Sequence, residues 1–126
     1  RLDAVEKRAG VEAQLRVSLN VELPSNVENS LYRIAQEALN NSLKHAEATM
    51  ISVSLKSQEE LVELEIMDNG KGFEPEAIQD HGGLGMISMR ERVESIYGEY
   101  SITSKPGDGT RIWVSAPLPR GNGAVA

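Results

Sequence analysis

Three polar residues, Glu37, Asn41 and Lys44, are spaced so that a helix would align them. Their intervals of i, i+4 and i+7 place them along one edge of a broad apolar face. An Asn oxygen suits Mg²⁺ as a neutral ligand when phosphate oxygens and water supply the other ligands. A Lys on the same edge would neutralise a phosphate. The alternative is a solvated flank in which Glu37 pairs with Asn41.

A second candidate site is the sequence DNGKG, which begins at Asp68 and directly follows an apolar run. Asp68 therefore stands at a predicted strand end, where its carboxylate could accept a hydrogen bond from an adenine amino group. Gly70 and Gly72 carry no side chain that would keep a flat ring away from the backbone. Asn69 and Gly70 are also a common turn pair, so a simple turn and a binding site both fit this segment.

Two further glycine segments have the same two interpretations. GGLGM (82–86) begins the second predicted helix, where unsatisfied amides and the helix dipole favour an anion. The alternative is a flexible segment that leads into the helix. Leu84 argues against it, because an apolar residue in a glycine loop usually anchors a defined turn. In GDGT, Gly107 and Gly109 fit a hairpin turn, whereas Thr110 could offer a hydroxyl to a base or to water.

Composition and motifs exclude several other functions. The net charge of −6 argues against a nucleic-acid-binding surface, and the chain has no cysteine for a disulfide or a thiolate metal site. The two histidines, His45 and His81, lack metal-ligand spacing, and His45 also fits a packed, hydrogen-bonded role. No phosphate loop of the GxxxxGK[ST] kind and no catalytic Ser-His-Asp arrangement is present. The spacing instead indicates a nucleotide site to which several separate segments contribute.

Hydrophobic periodicity predicts the elements that would position these residues. The predicted order is strand, helix, two strands, helix, two strands. The corresponding ranges are 14–23, 25–46, 49–55, 61–67, 86–97, 100–104 and 110–116, with Gly98 ending the second helix. Hairpin-like links beside helices predict a two-layer α/β sandwich, in which the helices cover one face of a mixed, mostly antiparallel sheet.

The first predicted helix has a clear division between an apolar face and a polar edge. Asn41 falls at the border between core and surface, while Asn40 lies further toward solvent. The predicted apolar face comprises Leu31, Ile34, Ala35, Ala38, Leu39, Ser42, Leu43 and Ala46.

The ends of the chain predict a piece of a longer protein. The sequence begins without Met, and Leu2, Val5 and Ala9 have the spacing of an amphipathic helix end. We therefore expect residues 1–12 to be the remnant of an upstream helix or linker. The folded, catalytic domain is expected to span 13–120, and the tail 121–126 is expected to be disordered.

Four sequence segments together resemble the motifs of a known superfamily. RIAQEALNNSLKHAEA, DNGKGF, GGLGM..MRERV and KPGDGT look like the N box and the three glycine boxes of the gyrase, chaperone, histidine-kinase and mismatch-repair ATPases. The resemblance spans residues 16–119, and it is the order of all four boxes that makes it specific. Within the superfamily the chain most resembles the catalytic, ATP-binding domain of sensor histidine kinases that signal to helix-turn-helix response regulators. It implies the Bergerat-type ATP-binding fold.

The resemblance implies roles for the matched residues of the first helix. Asn41 would coordinate the Mg²⁺ that bridges the ATP phosphates. Glu37 stands where related ATPases keep a general base, and Lys44 and His45 would face the phosphates. These expectations make Glu37, Asn41 and Lys44 the candidate catalytic residues.

The resemblance also assigns the glycine boxes to the two ends of the nucleotide. Asp68 would accept from the adenine amino group, with Thr110 assisting through a water, while Gly70 and Gly72 would shape the adenine pocket. Gly83 and Gly85 would contact phosphate. Leu84 and Met86 are expected to line the ATP site with them, and residues 74–82 would form a short ATP lid.

The implied activity is transfer of the ATP γ-phosphate to a histidine on an upstream dimerisation domain that is absent from this chain. Neither His45 nor His81 has that context. The implied partners are the dimerisation helices and a response regulator, with no nucleic acid. We expect a monomeric, cytoplasmic fragment of a homodimeric parent that could be anchored in a membrane. The alternatives are a serine kinase that inhibits a sigma factor, a self-contained ATPase, or a regulatory module that binds nucleotide without catalysis.

Overall fold

The computed structural model describes residues 2–8, 10–44, 47–72 and 86–118. In these ranges the chain forms six strands and two helices. The elements are β1 (Leu2–Arg8), β2 (Val11–Ser18), α1 (Ser25–Lys44), β3 (Met50–Gln58), β4 (Leu61–Asp68), α2 (Met86–Ser95), β5 (Glu99–Ser104) and β6 (Thr110–Pro117).

The strands form one mixed sheet in the order β1-β2-β3-β4-β6-β5. Only β2 and β3 are parallel, and α1 is the connection between them, whereas every other neighbouring pair is antiparallel. Helix α1 packs on β3 and β4, and α2 packs on α1 and β5. The predicted two-layer α/β sandwich with helices on one face is therefore confirmed.

The core lies between the helices and the face of the sheet that they cover. Every second residue from Val62 to Ile66 in β4 and from Thr110 to Ala116 in β6 is buried, as the period of two requires. On α1 the predicted apolar face is confirmed at the centre, where Ile34 is fully buried. The buried apolar residues of β4, β6 and α1 are Val62, Leu64, Ile66, Ile112, Val114, Ala116, Val27, Leu31, Ile34 and Ala38.

The predicted apolar face of α1 is wrong near its C-terminal end, at Leu43, which is 53% exposed to solvent. The wheel gives the direction of a side chain, but no neighbouring element of the described structure buries this position. Ser42 is buried, as predicted, although a polar contact described below accounts for its position. Ala46 lies outside the described residues.

The prediction of a helix end at the start of the chain is wrong. Residues Leu2–Arg8 form β1, which pairs antiparallel with β2. Gly10, with φ of +81°, makes the tight turn that this hairpin needs. Lys7 Nζ lies 3.5 Å from Glu12 Oε1 on the opposite strand of the hairpin. Cross-strand pairs of opposite charge stabilise a sheet, so this pair favours a strand over a helix. The proposed boundary between residues 1–12 and the domain at 13–120 stays a prediction.

The first strand of the prediction is also displaced. The alternating pattern predicts a strand at 14–23, but β2 spans Val11–Ser18. Leu19 and Leu23 follow the strand and still pack against the core, which explains why their alternation resembles a strand continuation. The apolar pattern therefore locates Leu19 and Leu23 correctly against the core. It is wrong at Leu15 and Val21, which are exposed, and it misplaces the ends of the element.

The second helix ends where the sequence predicts. The Gly98 amide donates to the Val93 carbonyl at 2.9 Å, which closes the last turn, and Tyr97 has a positive φ of +59°. Met89, Val93 and Ile96 are buried on one side of this helix segment. Neither helix of the described ranges is long and apolar enough to cross a lipid bilayer.

Candidate functional site

Two of the predicted site residues, Asp68 and Thr110, lie side by side at one end of the sheet. In an antiparallel arrangement the end of β4 lies beside the start of β6, and the register pairs Asp68 with Thr110. On the other side of β4, Asp68 pairs with Ile51 near the start of β3. Residues that are far apart in the sequence are therefore direct cross-strand neighbours, as a shared site requires.

The Asp68 carboxylate is half-buried and is held by two donors. The Ser42 hydroxyl of α1 donates to Oδ2 at 2.6 Å, and the Gly70 amide donates to Oδ1 at 2.9 Å. A carboxylate has about four lone-pair positions, so these two bonds leave acceptor capacity for a further donor. The arrangement is suited to recognition of a ligand that presents an N–H group.

The Asn69 side chain fixes the loop that follows Asp68. Its Oδ1 accepts from the amides of Thr49 and Met50 at 3.0 and 2.9 Å, and its Nδ2 donates to the Thr49 hydroxyl at 3.0 Å. The Asn69 amide also donates to the Met50 carbonyl. These bonds join the loop to the start of β3, so Asn69 organises more than the local turn that its sequence suggests.

Glycines allow the protein's own backbone segments to touch around Asp68. A Cβ on Gly109 would lie 2.2 Å from the Asp68 carbonyl oxygen, and one on Gly72 would lie 2.0 Å from the Lys105 carbonyl oxygen. Both glycines have positive φ, which other residues rarely adopt. The Gly107 amide donates to the carbonyl of residue 71 at 2.5 Å. The loop 69–72 is thereby packed against the turn 105–109.

A buried pair of hydroxyls lies beside this packing. Thr110 is 8% exposed, and its Oγ1 lies 3.0 Å from Oγ of Ser104, which also donates to the Gly109 carbonyl at 3.1 Å. Thr110 thus begins β6 with its hydroxyl already placed by a neighbour. Its position beside Asp68 agrees with the role that the family resemblance implies for it.

Helix α1 brings the predicted polar edge toward the same end. Asn41 and Glu37 are half-buried and Asn40 is exposed, as the helical wheel predicts. Asn41 directly precedes Ser42, the residue that contacts Asp68. Its backbone is therefore one residue away from the contact between α1 and the Asp68 carboxylate.

Several predicted residues lie wholly or partly outside the described part of the chain. Only the backbone is described for Lys44 and Met86, which are the last residue of α1 and the first of α2. The residues outside the described ranges are His45, His81, Gly83, Leu84, Gly85 and the predicted lid, 74–82. The roles assigned to the site residues stay predictions, and at the phosphate end the positions of these residues do as well.

Two cavities on the open face of the sheet contain none of the predicted residues. One, of about 290 Å³, lies over β1, β2 and β3, and the other, of about 150 Å³, lies around Trp113. Charged groups in the second cavity pair across strands: Glu63 contacts both Lys56 and the Trp113 indole, and Glu65 contacts Arg111. Within the described ranges, no three His, Asp or Glu side chains cluster in a way that could hold a metal ion.

Two serines that contact predicted site residues could not be identified from the sequence. Ser42 bonds to Asp68, and Ser104 contacts Thr110. The sequence pattern places Ser42 only on the apolar face and Ser104 only in a strand. For Ser42, its place in the middle of an apolar face indicates that it has a polar contact, because a buried hydroxyl needs a hydrogen-bond partner. Its partner, Asp68, is 26 positions away, so the sequence alone does not identify it.

Sequence comparison identifies a family across most of the chain. The family described as histidine kinase-, DNA gyrase B-, and HSP90-like ATPase matches residues 26–120. This range begins in α1 and includes the segments around Asp68 and Thr110. The sequence motifs and the described geometry thus fall within the matched range.

Named relatives of the chain include a histidine-protein kinase/phosphatase and a sensor protein. It is 36% identical over 114 residues to the signal transduction histidine-protein kinase/phosphatase DegS of Brevibacillus brevis, a match that covers 90% of this chain and 29% of that protein. It is 43% identical over 97 residues to the sensor protein VraS of Staphylococcus epidermidis, covering 77% of this chain and 28% of that protein. The chain therefore spans less than a third of these relatives.

A solved structure has a similar fold. The ATP binding domain of PrrB from Mycobacterium tuberculosis superimposes with a TM-score of 0.63 at 28% identity. The match covers 83% of this chain and 81% of that one. The arrangement of six strands and two helices therefore corresponds to that of an ATP-binding domain of known structure.

The close contact between Gly109 and Asp68 yields a stability prediction. Gly109→Ala places a methyl group against the Asp68 carbonyl, and we expect it to lower the free energy of unfolding by about 3 kcal/mol. Gly107→Ala is the matched control, because Gly107 shares the turn and a positive φ, but a Cβ at that residue would meet no atom within 4 Å. It should cost only about 1 kcal/mol. Urea denaturation measures both, and equal losses would contradict the packing described here.

Proposed function

Because the chain belongs to the family of histidine kinase-, DNA gyrase B- and HSP90-like ATPases, we propose that it is the ATP-binding catalytic domain of a sensor histidine kinase. The observation that carries this proposal is the half-buried Asp68 carboxylate, held by Ser42 and Gly70 beside Thr110. Family membership supports ATP binding. The names of the relatives support the histidine kinase over a sigma-factor-inhibiting serine kinase, a self-contained ATPase or a non-catalytic module.

Asp68 is proposed to recognise adenine. An ionised carboxylate only accepts hydrogen bonds, so it favours the amino group of adenine over the carbonyl oxygen at the same position of guanine or hypoxanthine. Thr110 lies on the neighbouring strand and would add a hydroxyl on the same side. Gly70 and Gly72 would border the base, with Gly72 acting through its contact with the turn 105–109 rather than by leaving an open space.

The phosphates are proposed to lie along α1. Asn41 is half-buried one residue before the Asp68 contact, and its neutral amide oxygen fits a Mg²⁺ whose other ligands are phosphate oxygens and water. When bound, Mg²⁺ would neutralise charge on the phosphates. Lys44, His45, Gly83, Leu84, Gly85 and Met86 are proposed to complete this end, with residues 74–82 as the lid. Glu37 stands one helical turn before Asn41 and is proposed to assist proton movement.

The proposed reaction is transfer of one phosphoryl group. The bond between the γ-phosphorus and the oxygen bridging it to the β-phosphate breaks, and a bond from the same phosphorus to an imidazole nitrogen forms. ADP leaves with the electron pair, and the imidazole proton passes to a base or to water. Such transfer depends mainly on positioning and charge neutralisation, which is what the residues of this site would supply.

The acceptor and partners are proposed to lie outside this chain. The acceptor histidine would belong to a dimerisation domain of the parent protein, and the phosphoryl group would then pass to a response regulator. We propose a homodimeric parent and a monomeric isolated domain. The proposal also places the domain in the cytoplasm, where ATP is available.

Replacing the Asp68 carboxylate tests the adenine end. Asp68→Asn keeps the shape and can still bond with Gly70 and Ser42, but it presents an amide where the adenine amino group needs an acceptor. We expect ATP affinity to fall at least about tenfold, as for loss of a hydrogen bond to a charged group. Calorimetric titration measures the affinity, and thermal unfolding of the free variant checks the fold. Unchanged ATP binding would remove Asp68 from the site.

Two adjacent asparagines provide a matched test of the Mg²⁺ assignment. Asn41→Asp places a negative charge beside the phosphates, so ATP binding at low Mg²⁺ should weaken roughly tenfold and depend more steeply on Mg²⁺. Asn40→Asp adds the same charge at an exposed neighbour and should change the Mg²⁺ dependence little, because solvent screens it. ATP titrations at several Mg²⁺ concentrations compare them. The same Mg²⁺ dependence in both variants would contradict a role for Asn41 as a ligand.

Phosphate transfer in the parent protein tests the function itself. With γ-labelled ATP, we expect an acid-labile, base-stable phosphate on a histidine outside residues 1–126. Peptide mapping of the labelled protein locates it. Label on serine, or on His45 or His81, would overturn the proposed histidine kinase reaction, and rapid hydrolysis of ATP by the isolated domain would instead favour a self-contained ATPase.

A further inference from the structure

We infer that Ser42 is a positioning residue that sets the selectivity of the site for adenine. Its hydroxyl is proposed to hold the Asp68 carboxylate in the orientation that accepts from the amino group of the base. This inference rests on the proposed function, because it concerns the same nucleotide site. It adds a residue to which neither the sequence motifs nor the family resemblance assigned a role.

The geometry of the Ser42 contact is that of a strong hydrogen bond. The two oxygens are 2.6 Å apart, a length typical of a hydroxyl that donates to a carboxylate. Ser42 is only 4% exposed, so water competes little for either group. A serine within a helix often bonds to the carbonyl one turn earlier. Here the hydroxyl instead reaches a different element.

The two donors to Asp68 constrain it in different ways. The Gly70 amide belongs to the same loop, two residues along the chain, so it moves with Asp68. The Ser42 hydroxyl belongs to α1, which packs on β3 and β4, and it therefore fixes the carboxylate relative to the body of the domain. Without it, the carboxylate would keep one local bond and could rotate about its last side-chain torsion, which is intrinsically broad.

Helix stability alone does not explain a serine at this position. Alanine has the higher helix propensity and would fit a buried position on the apolar face. The hydroxyl is useful only because Asp68 lies opposite it. Because Ser42 directly follows Asn41, the same contact also fixes the spacing between the proposed adenine end and the proposed Mg²⁺ ligand.

The test compares ATP with inosine triphosphate, which has an oxygen in place of the adenine amino group. In Ser42→Ala we expect ATP affinity to fall about tenfold, the effect of one charge-assisted hydrogen bond, while inosine triphosphate affinity changes less than about twofold. The ATP preference should therefore shrink. Ser42→Thr keeps the hydroxyl and should restore the preference. Calorimetric titration with Mg²⁺ present gives all the affinities.

Controls separate this inference from the proposed function and from a merely structural role. Ser30→Ala removes another serine hydroxyl of α1, one that lies 3.5 Å from Ser95, and should leave both affinities unchanged. Equal losses for ATP and inosine triphosphate in Ser42→Ala, or no loss at all, would overturn the positioning role. Two other results would contradict the proposed function itself: no ATP binding by the unsubstituted domain, or an unchanged preference for ATP over inosine triphosphate in Asp68→Asn.

Discussion

The arrangement of this site depends on the half-buried carboxylate of Asp68 at the end of β4, which needs hydrogen-bond donors. A negative group removed from bulk water must be hydrogen-bonded, and Asp68 obtains its donors from α1 and from its own loop. The requirement joins the helical layer to the sheet at the point where the loop leaves β4. The same requirement makes the carboxylate selective, because it accepts only from a group that donates.

The glycine segments pack against one another around Asp68 and so hold its backbone in place. Gly109 approaches the Asp68 backbone, and Gly72 approaches the Lys105 carbonyl, so two loops from distant parts of the chain meet with no side chain between them. Asn69 adds a third attachment, to the start of β3. Two loops and the start of β3 are thus fixed at one end of a sheet whose strands are themselves held by their register. If these segments bind a ligand, as proposed, they need little reorganisation to do so.

The sequence predicts those features that depend on local pattern. The ends of β5 and β6 to within one residue, the position of Asp68 at the end of a strand and the stop at Gly98 all follow from period and turn chemistry. The half-buried position of Asn41 follows from the helical wheel. The family follows from the order of the glycine boxes along the chain.

Features that depend on distant partners could not be predicted in the same way. Leu2, Val5 and Ala9 have helical spacing, but Leu2–Arg8 pair with β2 and form a strand. Leu43 continues the apolar face of α1 beyond the point where the described structure covers it. The role of Ser42 depends on a carboxylate 26 residues away, and the contacts of Gly72 and Gly109 depend on which backbone fills the space beside them.

The central claim is that ATP binds at the end of the sheet where α1 meets Asp68. Amide chemical shifts of the 126-residue chain during titration with ATP and Mg²⁺ test it most directly. The account predicts the largest shifts of the described residues at Asn41, Ser42, Gly70 and Thr110, with adenosine alone reproducing those at Gly70 and Thr110. Shifts centred on Glu63 and Trp113, on the open face of the sheet, would contradict it, as would no shifts at saturating nucleotide.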